Sequence, residues 1–149
     1  SPVLLYKRAK IIASTEEGTS EIKVKLHLKN RSAKPIQNIK IIEKYPKITE
    51  VEEEYSLGTI KPTKMMSADK VHSFLTWTLD TLEPYEERLF TYKLNSKLKI
   101  IGNITLPSAK VKFYTKKGEL TYMSNDITLL HKSENTGREF VSVDEIVKK

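Results

Sequence analysis

From Glu21 to Lys29 the chain reads Glu, Ile22, Lys, Val24, Lys, Leu26, His27, Leu28, Lys, with apolar and polar residues alternating without a break. A helix would scatter those apolar side chains around its circumference. A strand with one dry face and one wet face collects them on one side. This rhythm of two recurs along most of the chain. Ile39 and Ile41 share a face in the stretch Ile36 to Tyr45, which Pro46 is expected to end because it cannot donate to a ladder. In Ser73 to Leu79, the residues Leu75, Trp77 and Leu79 point inward and Thr76 and Thr78 outward. Phe90, Tyr92 and Leu94 share one side, as do Ala109, Val111 and Phe113. Glu50 to Ile60, which contains Val51, Tyr55 and Leu57, reads as a strand or an extended arm leading to Gly58, and further strand pieces fall at Leu98 to Leu106, Leu120 to Met123 and Ile127 to Leu130.

Turn chemistry separates these pieces. Asn30 to Pro35, Leu82-Glu83-Pro84-Tyr85-Glu86 and Lys116-Lys117-Gly118 are turn clusters, the last reading as a hairpin. Pro62 to Lys70 reads as a connection whose apolar part is Met65-Met66. About 7–9 short strands at such spacing predict an all-β, immunoglobulin-like antiparallel β-sandwich with a short C-terminal extension. A closed barrel is the rival architecture. The sandwich is expected over residues 1–132, with 133–149 a polar linker and tail. In that tail Ser142 to Glu145 fits a helix capping box, while Glu139 to Val143 reads equally well as extended.

With 149 residues the chain suffices for one domain and can bury about 68–70% of its unfolded surface without a staple. No cysteine is present, so disulfide and thiol chemistry are excluded. No apolar run approaches the roughly 20 residues of a membrane-spanning helix. The chain opens on Ser1-Pro2, as a processed or excised piece of a longer protein does.

Lys+Arg number 26 against 19 Asp+Glu, giving a formal charge of +7 and a pI near 9.4. Basic balance is one footprint of nucleic-acid binding. Here the excess is lysine, with arginine only at Arg8, Arg31, Arg88 and Arg138, and base readers favour arginine. The lysines also fall on the wet face of the strands, where they discourage edge pairing. A basic intracellular module for nucleic acid or an acidic protein partner is therefore the alternative reading.

Motifs for chemistry are sparse. His27, His72 and His131 share no metal-ligand spacing. Glu50, Glu52, Glu53 and Glu54 form an acidic cluster without the pattern of a calcium loop. There is no nucleophile elbow, phosphate loop or dinucleotide fingerprint. A sandwich-fold polysaccharide hydrolase would need two carboxylates that meet only in space. No cofactor is expected and no catalytic residue is assigned. Asn30-Arg31-Ser32 and Asn103-Ile104-Thr105 are glycosylation sequons, and Asn30, in a predicted exposed turn, is the better acceptor. Met65, Met66, Tyr85 and Phe140 are the candidate partner contacts.

Two stretches resemble a known family. Val24-Lys-Leu-His-Leu-Lys-Asn30 through Ile36-Gln-Asn-Ile39 to Glu43-Lys-Tyr-Pro46 shows an alternating strand, an Asn-centred turn, a second strand and an acid shortly before a proline. Leu75-Thr-Trp77 through Leu82-Glu-Pro84-Tyr-Glu86 to Phe90-Thr-Tyr92 shows a Trp strand, a proline turn and an aromatic strand. Together these resemble the conserved repeat domain of archaeal and bacterial surface proteins, a domain of unknown function, over about Lys23 to Phe113. Glu43 stands where that family usually has Asp. Tyr85 replaces the turn glycine, which predicts a turn that avoids positive φ. The resemblance implies a non-catalytic, extracytoplasmic module of a cell-surface or membrane-anchored protein. Its partner would be a protein or a neighbouring domain of a longer chain.

Overall fold

A computed structural model describes residues 1–14, 20–52, 62–65, 70–96, 103–131 and 140–142. All the regular structure in these residues is strand: β1 (Val3–Ser14), β2 (Ser20–Asn30), β3 (Ile36–Pro46), β4 (Thr49–Val51), β5 (Thr63–Met65), β6 (His72–Leu82), β7 (Glu87–Ser96), β8 (Asn103–Leu106), β9 (Lys110–Thr115), β10 (Gly118–Met123), β11 (Ile127–His131) and β12 (Phe140–Ser142). Every pairing is antiparallel. The first sheet runs β1-β2-β7-β4, the second β10-β9-β3-β6-β5, and a small third sheet β12-β11-β8. The all-β immunoglobulin-like sandwich expected from the alternating pattern is the fold observed.

The alternation sets the burial. Ile22, Val24, Leu26 and Leu28 of β2 are buried, and the lysines between them lie on the half-exposed face. Ile39, Ile41, Leu75, Trp77 and Leu79 supply the facing layer, with Val111 and Phe113 of β9. Trp77 of the second sheet meets Phe90 and Tyr92 of the first at centroid separations of 5.5 and 5.9 Å, which joins the two layers at the centre. Thr76 departs from the expected outward placement. It is buried, flanked in register by Ile42 and Thr63, whereas Thr78 is exposed.

Three turns reveal more. Pro84 and Tyr85 form the corner between β6 and β7, closed by the Glu86 amide donating to the Glu83 carbonyl at 3.0 Å. Tyr85 has φ 62°, so it occupies the left-handed conformation that the family glycine would supply. The expectation of a turn without positive φ is therefore corrected. Proline at the first central position and a left-handed second residue define a type II turn, and tyrosine bears the steric cost. Asn38 also has positive φ (54°), at the point where the buried positions of β3 change parity between Ile36 and Ile39. Gly118 (φ 119°) closes the β9–β10 hairpin after Lys116 and Lys117.

Two connections differ from their sequence reading. Thr63–Met65 forms a short strand on β6 rather than a plain connection. Phe140–Ser142 pairs with Leu129 to His131, so the extended reading of that part of the tail holds and the segment extends the third sheet. Met66 and the proposed helix beyond Ser142 lie outside the described residues, as do Glu53 and Glu54.

Candidate functional site: a buried Lys–Glu–Tyr node

Along β1 the inward positions are Val3, Leu5, Lys7, Ala9 and Ile11. Along β3 they include Ile39, Ile41, Glu43 and Tyr45. One cation and one anion thus interrupt two apolar stripes, and the sandwich brings them face to face. Lys7 Nζ lies 2.7 Å from Glu43 Oε1, and both side chains are fully shielded from solvent. The second carboxylate oxygen accepts a 2.7 Å hydrogen bond from the Tyr92 hydroxyl on β7. Lys7 Nζ also donates to the Pro107 carbonyl, just beyond β8.

A fourth residue reaches the same lysine. Asn125, immediately before β11, accepts from the Lys7 amide through Oδ1 (2.8 Å) and donates from Nδ2 to the Lys7 carbonyl (3.0 Å). Its carboxamide thereby satisfies both main-chain groups of Lys7 on the edge of β1 that faces away from β2. The adjoining Ser124 hydroxyl accepts from the Ala109 amide and donates to the Asn125 carbonyl, both at 2.8 Å, which ties the approach to β11 to the start of β9. Lys7 is therefore where the first sheet, the second sheet and the segments flanking the third all meet.

Burial dominates the electrostatics of this node. Desolvation lowers the Lys7 pKa, against the pull of Glu43 and, more weakly, Asp126. Desolvation likewise raises the Glu43 carboxyl above its ordinary value, against Lys7, the Tyr92 hydroxyl and the Lys44 amide. Both shifts favour the neutral forms. Tyr92 is held well above its ordinary pKa, first by burial and then by the neighbouring Glu43. A desolvated amine beside a carboxyl group that shares its proton can exchange that proton without solvent.

The sequence-level candidates are dispersed. Asn30 is buried rather than exposed, which corrects its choice as the better glycosylation acceptor. Its Nδ2 donates to the carbonyls of Lys34, Leu82 and Glu83 at 2.8–3.1 Å, and its Oδ1 accepts from Ser32. A carboxamide spent on holding two turns together offers no nitrogen to a glycosyltransferase. Asn103 is exposed at the start of β8. Tyr85 projects from its corner with 63% of its surface exposed. Met65 lies on β5 and Phe140 on β12, so these contacts occupy different sheets.

Two shallow grooves lie among the described residues. One, of about 210 Å³, is lined by Arg8, Ala9, Lys10, Lys23 and Lys25; the other, of about 260 Å³, by Ile42, Lys44, Phe74, Ser108, Lys110 and Lys112. Elsewhere acids temper the lysine face: Lys29 pairs with Glu87, and Lys93 with Glu21, both at 3.4 Å. His27 lies on that face against Tyr6, away from the buried node. Among the described residues no three His, Cys, Asp or Glu side chains are grouped to hold a metal, and no helix is long and apolar enough to cross a membrane.

Sequence reasoning passed over Lys7, Tyr92 and Asn125 as functional residues and met Glu43 only as a family position. The usable signal was parity: a lysine and a glutamate, each on the inward phase of an otherwise apolar strand.

The fold and its buried node define a sandwich domain tied internally across its sheets. No protein-family model and no curated protein matches the chain. Among solved structures it is similar to the full-length major pilin SpaD of Corynebacterium diphtheriae, at 13% identity and a TM-score of 0.58, over 93% of this chain and 39% of the pilin. It is also similar to the Northeast Structural Genomics Consortium target SoR45, at 8% identity and a TM-score of 0.51, over 89% of each chain. A GH20 exo-β-N-acetylglucosaminidase of Vibrio harveyi overlaps at 8% identity and a TM-score of 0.48, over 81% of this chain and 17% of the enzyme. The chain thus spans only part of the pilin and of the glycosidase. The likenesses to the pilin and to SoR45 show the fold.

Proposed function

We propose that this chain is a non-catalytic structural or protein-interaction module in the extracytoplasmic part of a cell-surface or membrane-anchored protein. One observation carries the reading: the converging ionisable side chains, Lys7, Glu43 and Tyr92, are sealed in the core, where they connect sheets out of reach of solvent. Such a node serves the integrity of the domain. The sandwich likeness to a pilin and the resemblance to surface repeat domains agree with this use. Contact with a neighbouring domain or protein falls to the sheet edges, where unpaired main-chain groups can accept an added strand.

The test is location. The protein in its full natural context, in its source cell, is labelled with a membrane-impermeant reagent and probed by external protease. Labelling and cleavage of intact cells are the expected result; complete protection, with release only on lysis, overturns the reading. The basic grooves favour a second reading, binding of an anionic polymer or acidic partner. A titration of that kind would weaken steeply with salt, because released counterions drive it.

A further inference from the structure

We infer that Lys7 and Asn125 form an intramolecular isopeptide bond, assisted by Glu43, that closes the sandwich covalently. The inference holds whether or not the chain stands at a cell surface.

Three chemical parts are required: two lie in the buried node, and the third, Asn125, borders it on the main chain of Lys7. The nucleophile is the Lys7 amine, buried and hydrogen-bonded to Glu43 at 2.7 Å. Desolvation of that amine favours its free base, the form that attacks a carbonyl. The electrophile is the Asn125 carboxamide, already anchored to the main chain of the same lysine by two hydrogen bonds. Asn125 is exposed at the approach to β11, two and four residues ahead of the buried Ile127 and Leu129, and its carboxamide reaches back to β1. Turning its amide from the Lys7 main chain toward Nζ replaces two hydrogen bonds with one covalent bond. The proton carrier is Glu43, whose carboxyl is raised by burial and oriented by the Tyr92 hydroxyl.

The reaction balances without a co-reactant. Nζ of the neutral amine attacks Cγ of Asn125, forming the C–N bond and placing charge on Oδ1. Glu43, as the neutral acid, gives its proton to Nδ2 and takes the surplus proton from Nζ in return. The Cγ–Nδ2 bond breaks and ammonia leaves. The product is a secondary amide between Lys7 and Asn125, with Glu43 restored. Nothing is oxidised or reduced.

The connection also makes mechanical sense. It bridges 118 positions of sequence, from the first strand to the segment entering β11. Tension applied at the two ends would pass through the amide, leaving the strands between unstretched. A hydrogen-bonded ladder alone unzips under the same load.

The experiment is intact-mass measurement of the purified full chain, followed by peptide mapping. The expected mass lies about 17 Da below that of the sequence, one ammonia lost. The map should contain a branched peptide carrying both Lys7 and Asn125, with no tryptic cleavage after Lys7. Asn125→Ala and Glu43→Gln should each show the full sequence mass while retaining the circular dichroism of a β-sandwich. A wild-type chain at its full sequence mass overturns the inference. So does a loss of 17 Da that maps to a cyclised asparagine without a branch, or a loss of one water, which would indicate a carboxyl partner. Full retention of the branch in Glu43→Gln overturns the part assigned to Glu43.

Discussion

Removing the Lys7 amine leaves Glu43 buried among apolar side chains with the Tyr92 hydroxyl as its remaining side-chain partner. The two variants to compare are Lys7→Met and Lys7→Met/Glu43→Leu. Both lack the amine, so neither can carry a Lys7 cross-link, and they differ only at the carboxyl. In the single variant the group escapes the cost of a buried charge by taking up a proton. In the unfolded chain the same carboxyl titrates near its ordinary value of 4.5. At about pH 7 the protonation gap spans about 2.5 pH units, and at about 1.4 kcal/mol per unit this sets a ceiling near 3.5 kcal/mol. That figure agrees with the roughly 3–5 kcal/mol typical of breaking one side of a buried pair. The sign follows from linkage. The folded pKa is raised, so the stability is fully present below the unfolded value and is lost as pH rises toward the folded value. Urea denaturation should therefore show the single variant nearly matching the double variant at about pH 4.5. It should fall behind as pH rises toward about 7, by at most about 1.4 kcal/mol per unit. A gap between the two variants that stays constant across this range would refute the placement of Glu43 in a dry core.

Other consequences are open to measurement. Tyr85→Gly should stabilise the domain by about 1 kcal/mol in denaturant, because relief of the left-handed strain outweighs the added entropy of glycine; destabilisation would mean that the tyrosine ring makes a contact worth more than the strain. Asn30→Ala leaves the carbonyls of Lys34, Leu82 and Glu83 without their shared donor and should cost about 2–3 kcal/mol by the same assay. Tyr92 ionises only on unfolding, so above about pH 10 the wild type should lose about 1.4 kcal/mol per pH unit, and Tyr92→Phe should lose this component of the slope. A tyrosinate absorbance counting every tyrosine while the protein remains folded would contradict that burial. Trp77→Ala removes the ring between Phe90 and Tyr92 and should cost about 3–5 kcal/mol, read from the shift in the urea midpoint.

Much of the architecture was legible because a strand has a period of two, and each inward or outward choice leaves a mark in the sequence. Trp77, Tyr92 and the Lys116-Lys117-Gly118 hairpin all fell where that rhythm placed them. The failures share a cause. Asn30 looked exposed because polar turn residues usually are, yet its amide joins the turn that follows β2 to the turn that follows β6. Tyr85 looked incompatible with positive φ, yet proline beside it and the Glu83–Glu86 closure impose the turn. Thr76 obeyed its strand phase and was buried by its neighbours all the same. Local propensity describes what a residue does alone, and here distant partners overruled it.

By itself, the order of amino acids determined that this chain makes strands, which side chains face inward, and where most corners fall. Those are short-range matters of pleat, proline, glycine and side-chain polarity. Only the tertiary structure decided that the charged intruder on β1 meets the one on β3 and that Asn125, 118 positions away, caps the same lysine. Parity marks a residue as inward without saying whom it meets. That depends on how the sheets stack, and stacking is set by the whole core at once.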